Sequence, residues 1–377
     1  MADVAAWLPV AVWTLLMGVR FVLALRTWRP PQPVPLADVV VLQPILAGDP
    51  HLGDDLAANL SSHPTARFRW LVDTADAEGL RLAHRLAGGA GRLAEVREFG
   101  VAPPDANPKV FKLARAVDAT DELVAVLDDD TVLPEQALGR ARAALADGDL
   151  VTGVPFYAGE GSVWSRLVAA FVNGNALLTY LPLTAFGRPV TLNGMFYLTT
   201  RDALQRAGGF AAVEGLVCDD YEVARSFRRA GMRLVQASVP VRVRTTVPDA
   251  RAYLRLMRRW MVFTLRLLRA EANPPIVLLV ALPTVLPLLA LVIGLAGGAW
   301  LPAAAMVVAL AAKAAAMAAL RRRWLGTTEK PGSVLLEMLA DLVQPLHALA
   351  ALLRPGRIVW RGRAMVIDRS GRVRATS

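Results

Sequence analysis

Apolar residues fall into three regimes along the chain. Near the N-terminus, "VAAWLPVAVWTLLMGVRFVLAL" (Val4–Leu25) is interrupted only by Arg20, close to its end. About 20 apolar residues span a bilayer, so this run predicts a transmembrane helix. No basic region precedes it and no small-residue cleavage site follows, which favours an anchor over a signal peptide. Arg26 and Arg29 come directly after and place the following residues in the cytoplasm by the positive-inside rule.

In the middle, short β-rich apolar runs alternate with helical patterns. "DVVVLQP", "RFRWLVD", "EVREFG" and "ELVAVLDDD" read as strands. "HLGDDLAANLSS", "AEGLRLAHRLA", "KVFKLARAVDA" and "PEQALGRARAAL" read as the helices that follow them, the last with Pro134 near its start. Such alternation predicts an α/β domain with a parallel, doubly wound sheet. Ligands in such sheets bind beyond the C-terminal ends of the strands. Asp73 ends the second strand and Asp128–Asp130 end the fourth, so both acidic points fall where a ligand is expected.

In the third regime, Pro274–Trp300 and Leu301–Leu320 form two apolar stretches with a Gly-rich turn between them. They predict a transmembrane hairpin closed by the basic "RRRW". Lys313 interrupts the second stretch and is expected to face protein or snorkel. Val334–Leu353 carries Glu337, Asp341, Gln344 and His347 at helical spacing, a polar stripe on an apolar helix. A full span there would put the basic tail outside, against the charge rule, so an interfacial or re-entrant helix is expected. The resulting divisions are an anchor at 1–28, a cytoplasmic domain at 36–250, a basic interfacial helix at 251–272, a hairpin at 274–320, and a membrane-associated helix with a basic tail at 333–377.

Composition sharpens this picture. Hydrophobic residues make up 55% of 377 residues, and the net charge is +10. With membrane-length runs present, that charge points to an anionic membrane surface and not to nucleic acid. Cys218 is the single cysteine, and the four histidines show no ligand spacing, so any metal must be held by oxygen. Neither GxxxxGK[ST] nor GxGxxG occurs, which argues against an ATPase or a nicotinamide enzyme.

Three clusters carry candidate chemistry. "DDDTVLP" is either an acidic loop at a helix N-terminus or a site at which Asp128 and Asp130 reach one divalent cation together with a diphosphate. It lacks the glycine and the final glutamate of an EF-hand. In "VCDDYEVARSFRRAGMRL", Asp219, Asp220 and Glu222 either cap a helix or supply a general base for a hydroxyl. The stretch Arg251–Ala270 contains six arginines and no acid. It reads as a basic interfacial helix in which an arginine could clamp phosphate, with Trp260 at the interface or walling the site. "WSRLVAAFVNGNALLTYLPL" (Trp164–Leu183) is either a lipid entry or a buried core helix.

Taken in order, these features resemble membrane-bound inverting glycosyltransferases of the GT-A fold, of the family 2/21 type. The ceramide glucosyltransferase-like group is the nearest in look. "VVVLQPILAGDP" resembles that group's first strand and loop, and "NPKVFKLARA" its Asn-x-Lys-Val segment. "LDDDTVLP" is similar to its Asp-x-Asp, "TLNGMFYLTTRDALQRAGGF" to its acceptor-side strand, and "CDDYEVARSFRRAG" to its Glu/Asp-Asp helix. "RRW" is similar to the end of the Gln/Arg-x-x-Arg-Trp motif, and "VWRGRAMVI" to the C-terminal Trp-Arg-Gly-Arg.

The resemblance implies a Rossmann-like, mostly parallel GT-A domain with N-terminal and C-terminal transmembrane helices. Asp73 or Asp76 would bind the nucleoside of a UDP-sugar, with Lys109 also on the donor. Asp128 would sit near the ribose and diphosphate, and Asp130 would be the principal ligand of Mn²⁺ or Mg²⁺. Asp220 would be the base, and Arg259 and Trp260 would close over the diphosphate and the acceptor site. The implied activity is transfer of one hexose, with inversion, to a membrane lipid hydroxyl. A ceramide-like sphingolipid comes first, with hopanoid or glycerolipid head groups as the alternative. Leu256 replaces the Gln/Arg of the motif, which argues against a processive polysaccharide synthase. The implied location is a bacterial inner membrane, with the catalytic domain in the cytoplasm.

Overall fold

The computed structural model describes residues 2–36, 38–187, 189–328, 330, 332–353, 357–360, 363–367 and 371–375. Of these, 2–4, 357–360, 363–367 and 373–375 are described by backbone alone. The chain forms two compact units. A sheet unit comprises Arg29–Pro155, Arg188–Thr246 and Gly356–Ser377, and a helical unit comprises Met1–Trp28, Phe156–Gly187 and Val247–Pro355. Phe156–Gly187, within the expected stretch 36–250, groups with the apolar helices.

In chain order, α1 (Ala2–Thr27) precedes β1 (Val39–Ile45), α2 (Leu52–Ser62), β2 (Arg67–Asp73), α3 (Ala77–Ala90) and β3 (Ala94–Phe99). Next come α4 (Pro108–Ala114), β4 (Leu123–Leu127), β5 (Thr131–Val132), α5 (Ala137–Ala144) and β6 (Leu150–Tyr157). The helices α6 (Val163–Asn173) and α7 (Ala176–Thr184) follow, then β7 (Phe196–Thr200), α8 (Arg201–Arg206), α9 (Asp219–Arg229) and β8 (Leu234–Val243). The C-terminal part holds α10 (Ala250–Glu271), α11 (Pro274–Ile276), α12 (Leu282–Ala296), α13 (Trp300–Leu325) and α14 (Ser333–Leu353). It ends in a small antiparallel sheet of β9 (Arg357–Trp360), β10 (Arg363–Ile367) and β11 (Val373–Ala375). Of the expected Trp-Arg-Gly-Arg stretch, residues 361 and 362 lie outside the described residues.

The main sheet has eight strands in the order β3-β2-β1-β4-β7-β6-β8-β5. Its first four are parallel. Beyond β4 the direction reverses: β7 is antiparallel to β4, β6 to β7, and β5 to β8. The mixed α/β expectation holds, but the parallel order belongs to the N-terminal half alone. Strand β1 is buried throughout, and its alternate residues enter two different cores. Val39, Val41 and Ile45 pack with Phe68 and Trp70, whereas Val40 and Leu42 pack with Leu71, Val110 and Val126. A strand covered on both faces must be apolar at successive positions, which is why this one reads as an unbroken hydrophobic run.

One helix begins later than its sequence suggests. Gln136 adopts φ 67°, a left-handed conformation, so α5 starts at Ala137 and Pro134 lies outside it. Two residues of β5 occupy the space ahead of it.

In the helical unit, the polar groups of the apolar helices find partners within the unit. Lys313 donates to Asp341 at 2.6 Å and to Asn175 at 3.2 Å, and so faces protein. Arg321 pairs with Glu337 and donates to the carbonyl of Asn173 at 2.7 Å. The Trp13 indole donates to the carbonyl of Pro283 at 3.1 Å, and Trp28 stacks on Trp324. Among the described residues, five helical stretches are long and apolar enough to cross a membrane: Ala5–Thr27, Val163–Thr184, Pro274–Ala296, Trp300–Leu325 and Ser333–Leu353.

Candidate active site

The aspartate turn after β4 is held chiefly through its backbone. The amide of Asp128 donates to the carbonyl of Met195 at 3.0 Å. The carbonyl of Asp128 accepts from Gln43 Nε2 at 3.1 Å, and Gln43 Oε1 accepts from the indole of Trp70 at 3.1 Å. Asn59 accepts from the amide of Leu133 at 2.9 Å and donates to the carbonyl of Thr131 at 2.8 Å. The three carboxylates then divide. Asp129 turns away and accepts from the amide of Leu46 at 2.8 Å, tying the turn to the end of β1. Asp128 meets Lys109 at 2.7 Å, and Asp130 accepts from the Thr245 hydroxyl at 2.6 Å.

Lys109 is the hub of the site. Asn107 caps α4 by accepting from the amides of Lys109 and Val110, with Pro108 at the first helical position. The same Asn107 donates to the carbonyls of Leu216 and Val217, which tethers α4 to the segment leading into α9. Lys109 itself is 9% exposed. Besides Asp128, its ammonium reaches Asp219 at 3.1 Å and the carbonyl of Gly194 at 3.1 Å. Burial disfavours its charge, but Asp128 and Asp219 outweigh that and raise its pKa well above the usual lysine value. One turn further along α4, Lys112 donates to Asp73 at 3.1 Å.

Asp220 stands beside this hub at the start of α9. Its Oδ1 accepts from the amide of Tyr221 at 2.7 Å and from the Cys218 thiol at 3.1 Å. Burial, together with the neighbouring charge of Asp219, pushes its pKa up to about 6. The Cys218 thiol is itself pushed well up, first by burial and then by Asp220, so it stays protonated as a donor. Gly194 closes the other side, where an added Cβ would lie 3.1 Å from Asp220 Oδ2. The Tyr197 hydroxyl is buried without a hydrogen-bond partner among the described residues, and burial raises its pKa. The segment ahead of Asp220 is also held by the C-terminal tail: the amide of Val217 donates to the carbonyl of Gly371 at 3.2 Å, and Leu216 bridges to Arg372.

The structure thus brings Lys109, Asp128 and Asp220 together with Asp219 within the sheet unit. It separates Asp73 from Asp76. Both oxygens of Asp76 are occupied by backbone amides, those of Gly79 at 2.9 Å and Ala47 at 2.8 Å, so it works as the N-cap of α3. Asp73 keeps one buried oxygen without a hydrogen-bond partner among the described residues. Arg259 and Trp260 lie on α10 in the helical unit, where Trp260 packs against Tyr157 and Phe171. Asn59 and Thr245 lie in no motif that reading of the chain singled out, and Gln43 and Gly194 lie inside recognised segments without being named. Asn107 and Cys218 open recognised motifs, yet their bonds depend on tertiary placement.

Asp128 and Asp130 present carboxylates at the two ends of one short turn, where a cation could be held between them. Among the described residues no three His, Cys, Asp or Glu side chains group into an all-protein metal cage. Mg²⁺ fits that pattern, since it is commonly held by one or two carboxylates and completed by water and substrate phosphate oxygens.

Three comparisons bear on this site. The family described as "Glycosyl transferase family 21" matches residues 7–373. Among solved structures, the fold is similar to mannosyltransferase PcManGT from Pyrobaculum calidifontis, solved in complex with GDP-Man and Mn²⁺. The TM-score is 0.52 at 19% identity, covering 94% of this chain and 98% of that one. It is also similar to S. aureus TarS in complex with UDP-GlcNAc, at TM-score 0.40 and 12% identity, covering 89% and 99%. No curated protein matches significantly.

Proposed function

Since the chain belongs to glycosyl transferase family 21 and is a GT-A glycosyltransferase, we propose that it moves a single hexose from a UDP-sugar to a membrane lipid hydroxyl, with inversion. A ceramide-like sphingolipid is the first acceptor to test. The observation that carries this reading is the setting of Asp220. Its Oδ1 is engaged by two donors, which leaves Oδ2 to take a proton, and its pKa of about 6 suits a base working near neutrality.

In the proposed reaction, Asp220 takes the proton of the acceptor hydroxyl. The acceptor oxygen forms its bond to the anomeric carbon from the face opposite the diphosphate. The bond between that carbon and the diphosphate oxygen breaks, and the nucleoside diphosphate leaves with its electron pair. Lys109 holds Asp128 and Asp219 in place and offsets their charge beside an anionic donor. Asp73, with its spare oxygen, is assigned to the nucleoside in preference to Asp76. Asp128 and Asp130 would hold the divalent cation, whose charge would offset that of the leaving diphosphate. The mannosyltransferase PcManGT, solved with GDP-Man and Mn²⁺, supports both a nucleotide-sugar donor and a metal. Arg259 and Trp260 are proposed to act on the diphosphate and the acceptor, and Leu256 favours single transfer over polymerisation.

The test is a panel of UDP- and GDP-sugars against a total lipid extract, with Mn²⁺ or Mg²⁺ and mass analysis of the product. One new lipid heavier by one sugar is expected, and its loss in Asp220→Asn. A ladder of products, or an Asp220→Asn variant as active as the parent, would overturn the reading.

A further inference from the structure

A folded sheet cannot be threaded by a bilayer, because irregular backbone exposed to lipid would leave its polar groups unpaired. The whole sheet unit therefore lies on one side of the membrane. The chain leaves that unit and returns to it twice, between Pro155 and Arg188 and between Thr246 and Gly356. The second return is seen directly in the bonds of Gly371 and Arg372 with Val217 and Leu216. Each excursion must cross the membrane an even number of times.

The first excursion contains one stretch long enough to span, Val163–Thr184. One is odd, so that stretch does not cross. The second contains three: Pro274–Ala296, Trp300–Leu325 and Ser333–Leu353. At most two of them cross. The first two have mean hydropathy 2.9 and 2.0 and are separated by three residues, whereas the third has 1.4. From this parity we infer that α6–α7 and α14 are embedded in the membrane without crossing it. The chain then crosses three times, through α1, the 274–296 helix and α13.

The two faces of α14 identify what covers it. Glu337 and Asp341 are buried against Arg321, Lys313 and Asn175, and His347 meets the Tyr253 hydroxyl at 2.9 Å. Leu335, Leu339, Leu346, Leu349 and Leu353 are exposed. A helix lying on a membrane surface normally shows its polar face to water. This one turns its polar face to protein and its leucines outward, so the occupant of the outer face is lipid acyl chain.

Single cysteines in a Cys218→Ser background test both parts. Thr328→Cys precedes α14, Thr376→Cys lies in the tail, Val163→Cys and Phe186→Cys flank α6–α7, and Trp300→Cys marks the turn between α12 and α13. Each is treated with a membrane-impermeant maleimide from either face of sealed vesicles, and again in detergent to confirm reactivity. Thr328, Thr376, Val163 and Phe186 are expected to label from one face, and Trp300 from the other. Thr376 labelling with Trp300, or Val163 and Phe186 labelling from opposite faces, would overturn the inference. A nitroxide at Leu349→Cys should be relaxed by oxygen and shielded from a water-soluble nickel chelate. Relaxation by the chelate would refute the lipid contact.

Discussion

Replacing Lys109 by methionine removes the one cation shared by Asp128 and Asp219 while keeping most of the side-chain volume. The two carboxylates stand 2.7 and 3.1 Å from its ammonium, with side-chain exposures of 25% and 14%. Deleting one partner of a buried ion pair costs roughly 3–5 kcal/mol, since the remaining charge is left uncompensated. Asp128 can recover some hydration, so the lower end applies, about 3 kcal/mol. At 2–4 °C per kcal/mol for a unit of this size, the apparent Tm should fall by about 6–12 °C. The measurement is intrinsic-fluorescence unfolding in detergent at one fixed scan rate, because unfolding of such a protein is irreversible. The pH dependence has a definite sign. In the parent, the raised pKa of Lys109 gives stabilisation that is complete below the unfolded lysine value of about 10.4 and fades as pH rises above it. Adding Asp219→Asn should restore part of the loss, with a coupling of at least about 1 kcal/mol. A Tm within about 2 °C of the parent's, or additivity of the two changes within about 0.5 kcal/mol, would refute the assignment of Lys109 as the hub.

Four further outcomes are expected. The pH profile of kcat/KM should fall on its acid side around the Asp220 value of about 6. Cys218→Ala should move that limb upward by removing a donor to the carboxylate, and Cys218→Ser should restore it. Gly194→Ala should lower kcat while the unfolding temperature is kept, because its Cβ meets Asp220 at 3.1 Å and not the backbone. Asp129→Ala should lower stability by about 1–3 kcal/mol, read by the same unfolding assay, since the amide of Leu46 loses its acceptor.

Much of the parallel half of the sheet was legible because burial on both faces writes continuous apolar strands such as Val39–Ile45. The antiparallel half was not, since strand direction leaves no mark in hydrophobic period. The late start of α5 was hidden too, because nothing in the side chain of Gln136 announces a left-handed backbone. Asp73 and Asp76 could not be told apart along the chain, as both follow the same strand. Only the amides of Gly79 and Ala47 distinguish them. Lys109 was found through resemblance alone, for a lysine early in a short helix is ordinary until Asp128 and Asp219 are brought to it from distant segments. The polar stripe of α14 was visible as a pattern, but its partners Lys313, Arg321 and Asn175 were not.

The turn after β4 separates holding from binding. Gln43 and Asn59 grip it by main-chain atoms, so the conformation of residues 128–133 does not depend on what Asp128 and Asp130 do with their own oxygens. The two outer carboxylates are thus interchangeable parts on a fixed mount. In the proposed cation role, a change at either would alter the preference for one cation over another without a fold to rebuild, whereas a change at Gln43 or Asn59 would loosen both carboxylates at once. On that proposal, single substitutions at 128 or 130 would shift ion preference, while Gln43 and Asn59, which never meet the ion, would have the least room to change.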